Sequence, residues 1–179
     1  MSMIEFIKKI YKRKLEKELL SGKIPKHIMI VADNDFINNG LRKFLEWCSK
    51  FEIEEVTVCF KGEKKRVQSQ KVGNITLNLI EGYGGKDEIT DAVKELARLV
   101  KSGKINPNDI KEKDIEKFLK IKSSPDLIVK AGKEIPEFLI WQSIYSELYF
   151  IDIDWRSFRY IDFLRCLREF QRRERRYGR

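Results

Sequence analysis

Apolar residues recur at Ile4, Ile7, Tyr11, Leu15 and Leu19, close to every fourth position among Lys, Arg and Glu. That spacing predicts an amphipathic helix over residues 3–20, its stripe packed on the domain's own core. Ser21-Gly22 and Pro25 end it. Ile28 to Ala32 is a short, wholly apolar run rich in β-branched residues, the signature of a strand buried on both faces. Helical spacing returns at Leu41, Phe44, Leu45 and Cys48, and Val56 to Phe60 is a second apolar run. Strand, helix and strand in that order predict a βαβ unit and a mainly parallel sheet, whose ligands bind at the carboxyl ends of the strands. Residues 61–74 are mostly polar and cationic and read as a loop or hairpin. Ile75 to Ile80 reads as a strand, and Gly82-Tyr83-Gly84-Gly85 as a turn. A helix over Asp87 to Val100 should bury Ile89, Ala92, Val93, Leu96 and Leu99 or Val100. Ile115 to Leu119 reads as a short helix, Leu127 to Val129 as a short strand, and Phe138 to Tyr149 as an apolar, aromatic-rich stretch. The last helix, Ser157 to Arg176, carries Phe158, Ile161, Leu164, Leu167 and Phe170.

The expected fold class is therefore α/β, a mainly parallel central sheet flanked by helices. With 179 residues, no repeat and no linker, the chain reads as one domain. It comprises an amphipathic helix within residues 1–26 and a C-terminal helix with an arginine-rich tail over 157–179. Hydrophobic residues make up 42%, enough to fill a core, so a disordered chain is excluded despite 36% charged residues. The formal net charge of +9 favours phosphates, nucleic acid or anionic membrane surfaces as partners. Cys48, Cys59 and Cys166 are odd in number and widely spaced, which suggests neither a disulfide framework nor a zinc site and fits a reducing cytoplasm. No stretch approaches the ~18 apolar residues of a membrane span.

Three segments carry a family resemblance. Ile24 to Asp33 (IPKHIMIVAD), Asn74 to Ile89 (NITLNLIEGYGGKDEI) and Pro125 to Gly132 (PDLIVKAG) with its continuation through SELYF, Trp155 and the terminal RRYG occur in one order. They resemble the cis-prenyltransferases, the undecaprenyl and dehydrodolichyl diphosphate synthases, and cover most of the chain. The resemblance implies an enzyme that condenses an allylic diphosphate with isopentenyl diphosphate. Such an enzyme holds two polyanions, uses Mg2+ to help one diphosphate leave, and houses the growing hydrocarbon in an apolar tunnel. It implies Asp33 as the catalytic aspartate, Glu147 as a magnesium-associated carboxylate, and Asp33 and Glu147 as metal ligands. Lys130, Arg175, Arg176 and Gly178 are implied as diphosphate contacts, Arg176 and Gly178 as the RxG motif that reaches into a partner subunit's site.

The departures from the family pattern are equally specific. After Asp33 the glycine, asparagine and arginine of the family give way to Asn34, Asp35 and Phe36 to Asn39. A phosphate cradle needs close backbone approach and cations, whereas Asp35 adds a carboxylate. Lys130 replaces an arginine and supplies charge without its bidentate fork, and the second arginine of that clamp has no counterpart. Residues 61–74 are too few and too polar to form tunnel walls, and each CH2 of product left unburied forgoes about 0.8 kcal/mol. This pattern resembles the non-catalytic subunits typified by the Nogo-B receptor. It implies an impaired subunit in a heterodimer or heterotetramer with a catalytic cis-prenyltransferase, lending its C-terminal RxG.

Two other readings stand beside it: an active homodimeric short-chain isoprenyl diphosphate synthase, and a basic nucleic-acid or anionic-lipid binder. Nucleic acid is the weaker of that last pair, since no RNP motif or zinc knuckle accompanies the charge. The lipid reading would make the protein cytoplasmic with a peripheral membrane contact. Each site residue also has a structural alternative. Asp33 could cap the next helix, Glu147 could sit in an ion pair, the arginine tail could be a solvated helix end, and His27 could be a core histidine.

Overall fold

The computed structural model describes residues 3–132 and 137–173. The chain opens with helix α1 (Met3–Leu20), then strand β1 (His27–Ala32), helices α2 (Asn34–Asn39) and α3 (Leu41–Lys50), and strand β2 (Glu55–Phe60). A hairpin follows, β3 (Arg66–Val72) and β4 (Ile75–Glu81), then helices α4 (Gly85–Lys101) and α5 (Glu112–Glu116). Strands β5 (Leu127–Ala131) and β6 (Glu147–Ile151) and helix α6 (Tyr160–Arg172) complete it. The six strands form one sheet in the order β3-β4-β2-β1-β5-β6. Five are parallel, and β3 alone runs antiparallel, against β4. This is the α/β class that the apolar runs indicate.

Alternation along each strand divides the core in two. Ile28, Ile30, Val56, Val58, Leu77, Leu127 and Val129 face one way, onto Leu15 and Leu19 of α1, Phe44 and Cys48 of α3, and Phe163, Leu164 and Leu167 of α6. Met29, Cys59, Ile80 and Ile128 face the other way, onto Tyr83, Ile121 and Leu139. Both faces being covered explains why Ile28 to Ala32 reads as an unbroken apolar run and why β2 and β5 are apolar at most positions.

Several elements depart from expectation. Among the described residues of the anticipated stripe in α1, Leu15 and Leu19 are buried, while Ile7 is 58% and Tyr11 42% exposed. In α4, Val93 faces solvent and the acid Glu88 is buried, because α4 meets a polar partner there. Helix α5 lies three residues before its expected position, and α6 begins at Tyr160 after a single 3-10 turn, Trp155–Ser157. The aromatic stretch from Phe138 is a series of turns until β6 begins at Glu147, an edge strand that its half-buried residues left unannounced. All three cysteines are buried and unpaired, and among the described residues no helix is long and apolar enough to cross a membrane.

Candidate functional site

Strand register decides which of the sequence-selected residues can meet. Val31 lies opposite Lys130, and Ala32 opposite Phe60. Asp33, following Ala32, therefore shares the carboxyl end of the sheet with Lys130. Glu147 does not: it is the first residue of β6, level with Leu127, which is level with Ile28. Five residues at about 3.3 Å each put Asp33 roughly 16 Å from that level. Asp33 and Glu147, both implied as metal ligands, therefore lie at opposite ends of the sheet within a single chain. Arg175, Arg176 and Gly178 lie outside the described residues.

At the carboxyl end, Asp33 is the N-cap of α2. Its Oδ1 accepts a hydrogen bond from the Phe36 backbone N–H at 2.8 Å. The extended backbone of Asp33 is the ordinary cap conformation. Asp35, expected to repel a diphosphate, has its charge met: Oδ2 lies 3.3 Å from Arg156 Nε, and Oδ1 accepts from Asn39 Nδ2. Phe36 turns inward against Trp155, ring centroids 4.8 Å apart, and Trp155 Nε1 donates to the Val31 carbonyl at 2.7 Å. The loop that follows β1 is accordingly closed over an aromatic floor. A cleft of about 260 Å3 beside it is lined by Asp35, Phe36, Lys43, Trp47 and Trp155. Clefts that hold even drug-sized ligands start at about 300 Å3. Lys130 turns its Nζ back to the Ala131 carbonyl at 3.3 Å.

Where tunnel walls are expected, the chain passes from Phe60 through five residues directly into β3. β3 is an exposed edge strand of mostly polar residues. Gly82, with φ +55°, closes this corner: a Cβ there would lie 2.5 Å from the Gly62 carbonyl oxygen. The GYGG segment is thus the turn its composition indicates, with α4 starting at Gly85.

At the amino end of the sheet, α6 brings Arg173 to Glu147. Arg173 Nη1 donates to the Leu148 carbonyl at 2.7 Å and lies 3.5 Å from Glu147 Oε2, its guanidinium over the Tyr149 ring. The ion pair that was one alternative for Glu147 is present. Beside it, a cleft of about 510 Å3 is lined by Glu116, Leu119, Trp141, Ile144 and Tyr145, among others. Ile144 and Tyr145 are largely exposed.

Two buried polar groups escaped sequence reasoning. Glu88 Oε1 accepts from the Lys120 N–H at 2.6 Å, and its Oε2 accepts from Gln142 Nε2 at 3.0 Å. It fastens α4 to the segment that leads into β6. A ladder also crosses the sheet: Ser69 Oγ donates to Asn78 Oδ1, Asn78 Nδ2 donates to Glu55 Oε1 and Thr57 Oγ1, and His27 Nε2 shares a hydrogen with Thr57 Oγ1 at 2.8 Å. Burial pushes the His27 pKa below its ordinary 6.5. The only signal was polar residues at alternate positions of otherwise apolar strands.

Among the described residues no three His, Cys, Asp or Glu side chains converge to hold a metal. Asp33 commits its Oδ1 to the helix cap, which leaves Oδ2 as the oxygen it could offer a cation.

Comparison with known proteins fits this geometry. The undecaprenyl diphosphate synthase family model matches residues 60–178. A tritrans,polycis-undecaprenyl-diphosphate synthase (geranylgeranyl-diphosphate specific) of Thermococcus kodakarensis is 32% identical, covering 94% of this chain and 92% of the relative. That alignment runs over 244 positions against a chain of 179 residues, so the relative carries a long segment without counterpart here. The same-named protein of Methanocaldococcus jannaschii is 51% identical over 108 residues, 57% of this chain and 39% of the relative. The crystal structure of lavandulyl diphosphate synthase from Lavandula x intermedia, in complex with dimethylallyl diphosphate, superposes with a TM-score of 0.71. It is 20% identical, covers 90% of this chain and 100% of that one, and supports the fold.

Proposed function

The chain belongs to the undecaprenyl diphosphate synthase family of cis-prenyltransferases, and from that premise we propose that it serves prenyl transfer from isopentenyl diphosphate as a subunit of an assembly, without elongating long polyprenyl chains by itself. One observation carries this reading: the direct passage from Phe60 into a polar edge strand, which leaves no apolar wall between β2 and β3 among the described residues. A growing polyisoprenoid would remain in water, forgoing about 0.8 kcal/mol for each methylene. The capped Asp33 and closed aromatic floor agree with a pocket that no longer grips an allylic diphosphate.

In this reading the contribution to chemistry is electrostatic. Arg176 and Gly178 would present a guanidinium and backbone N–H groups to the diphosphate in the partner's pocket, where charge develops as the carbon–oxygen bond breaks. Arg173, held at Glu147, starts the tail at the end of the sheet away from this chain's own Asp33, which favours action on another subunit. Exposed Ile144 and Tyr145 beside β6 supply apolar surface for pairing. Mg2+ would be held by the assembled site.

A second reading is an active homodimeric short-chain synthase; the relatives being named as synthases, and the match covering 92% of the Thermococcus kodakarensis one, back an active enzyme better than the subunit reading. Asp33 and Lys130 do share one end of the sheet, and shorter products need less wall. Incubating the pure chain with labelled isopentenyl diphosphate and an allylic primer separates the two. Under the first reading, turnover appears only after co-expression with a full-length synthase and falls about 100-fold with Arg176→Ala. Steady product from the chain alone establishes the second.

A further inference from the structure

The amino-terminal half of α1 presents a second apolar stripe, distinct from the one that packs on the core. Met3, Phe6, Ile7 and Ile10 follow the i, i+3, i+4, i+7 pattern and are 79%, 51%, 58% and 51% exposed. At about 100° per residue they span one face of roughly 100°. Leu15 and Leu19, which are buried, lie on nearly the opposite side of the helix. Tyr11 marks the boundary, half-exposed with its hydroxyl accepting from Arg168 Nη1. The stripe therefore is not a core face awaiting closure by this domain, since the core-facing side of the same helix is already occupied.

Charge selects the occupant. Between Met3 and Lys14 the helix holds Lys8, Lys9, Lys12, Arg13 and Lys14 against one acid, Glu5. Lys9, Arg13, Lys14 and Lys17 border the exposed stripe or continue its face. A second copy laid on the stripe would bring these cations together, whereas an anionic surface would meet them. We propose that this half of α1 docks the protein on an anionic lipid bilayer. Met3, Phe6, Ile7 and Ile10 enter the acyl boundary, and the flanking lysines and arginine lie among the headgroups. A helix of this type lies in the plane of the interface and does not span it. The inference stands independently of whether the chain is catalytic.

The test is co-sedimentation of the full chain with vesicles of mixed phosphatidylglycerol and phosphatidylcholine, compared with phosphatidylcholine alone. The expected result is binding to the anionic vesicles that molar salt releases. Phe6→Ser combined with Ile10→Ser should lower it at least ~10-fold, and Lys9→Gln by about fivefold. Val93→Ser, removing an exposed apolar residue of α4, should leave binding unchanged. All these positions are exposed, so the variants keep the core, and a Phe6→Trp chain reads insertion as a blue shift of its emission. Three results would each overturn the proposal: no sedimentation with anionic vesicles, undiminished binding of the double variant, or a stable dimer that the double variant dissolves and vesicles do not compete for.

Discussion

Asp33 is where the family resemblance and the structure pull apart, and one pair of substitutions separates a chemical role from a structural one. Its carboxylate caps α2 through the Phe36 N–H at 2.8 Å. An asparagine caps as well as an aspartate, whereas alanine leaves that N–H without its acceptor and typically costs about 1 kcal/mol. For a protein of this size, with a urea slope of about 2 kcal/mol/M, that is a midpoint shift of about 0.5 M. Asp33→Ala should therefore lower the urea midpoint by about that amount with an unchanged slope, and Asp33→Asn should match the parent. Prenyl transfer by the assembled complex should be the same for all three at a temperature where each is folded. A carboxylate acting on substrate or metal gives a different pattern, because the amide carries no charge. If Asp33→Asn melts like the parent yet loses a hundredfold or more in turnover, the capping account of this residue is wrong.

Two further outcomes follow from the buried polar groups. Glu88→Ala strands the Lys120 N–H and one Gln142 Nε2 hydrogen, the other still donating to the Ile121 carbonyl, and should cost about 2 kcal/mol, at ~1–3 kcal/mol for a stranded buried group, read as a urea midpoint shift; a change under about 0.5 kcal/mol would mean that the clamp contributes nothing. For His27, burial lowers the folded-state pKa, so the unfolded chain binds the extra proton first as pH falls. The resulting stability is complete above pH 6.5 and is lost as pH falls below it and through the depressed folded value. Unfolding free energy measured across this window should decline on acidification, and His27→Gln should flatten that decline.

The parallel sheet was legible because its central strands are buried on both faces, which leaves an apolar run at 28–32 and short, β-branched-rich segments at 56–60 and 75–80 that no amphipathic helix would show. β6 was not, because an edge strand half-covered on each side carries no clean alternation, and the aromatic stretch before it resembles a helix until its turns are seen. The second stripe of α1 merges in sequence with the core stripe; only the docking of Leu15 and Leu19 tells them apart. Glu88 and the His27–Thr57–Asn78 ladder depend on partners 21 to 54 positions away, which no local pattern records. The separation of Asp33 from Glu147 was likewise hidden until strand register was known. Motif order alone places both in one family site and says nothing about which end of a strand each occupies.

The position of β1 between β2 and β5 bears on how the molecule is made. A ribosome that has released only the first hundred residues has supplied β1 to β4 but not β5, and Trp155, which seals the Val31 carbonyl, is synthesised 124 positions after it. Until then the nascent polypeptide exposes one flank of its most apolar strand, an adhesive edge open to neighbouring chains or to chaperones. Truncations that stop short of Leu127 should accordingly aggregate rather than yield a smaller folded unit, and cellular yield should track how quickly the codons from Leu127 to Trp155 are translated.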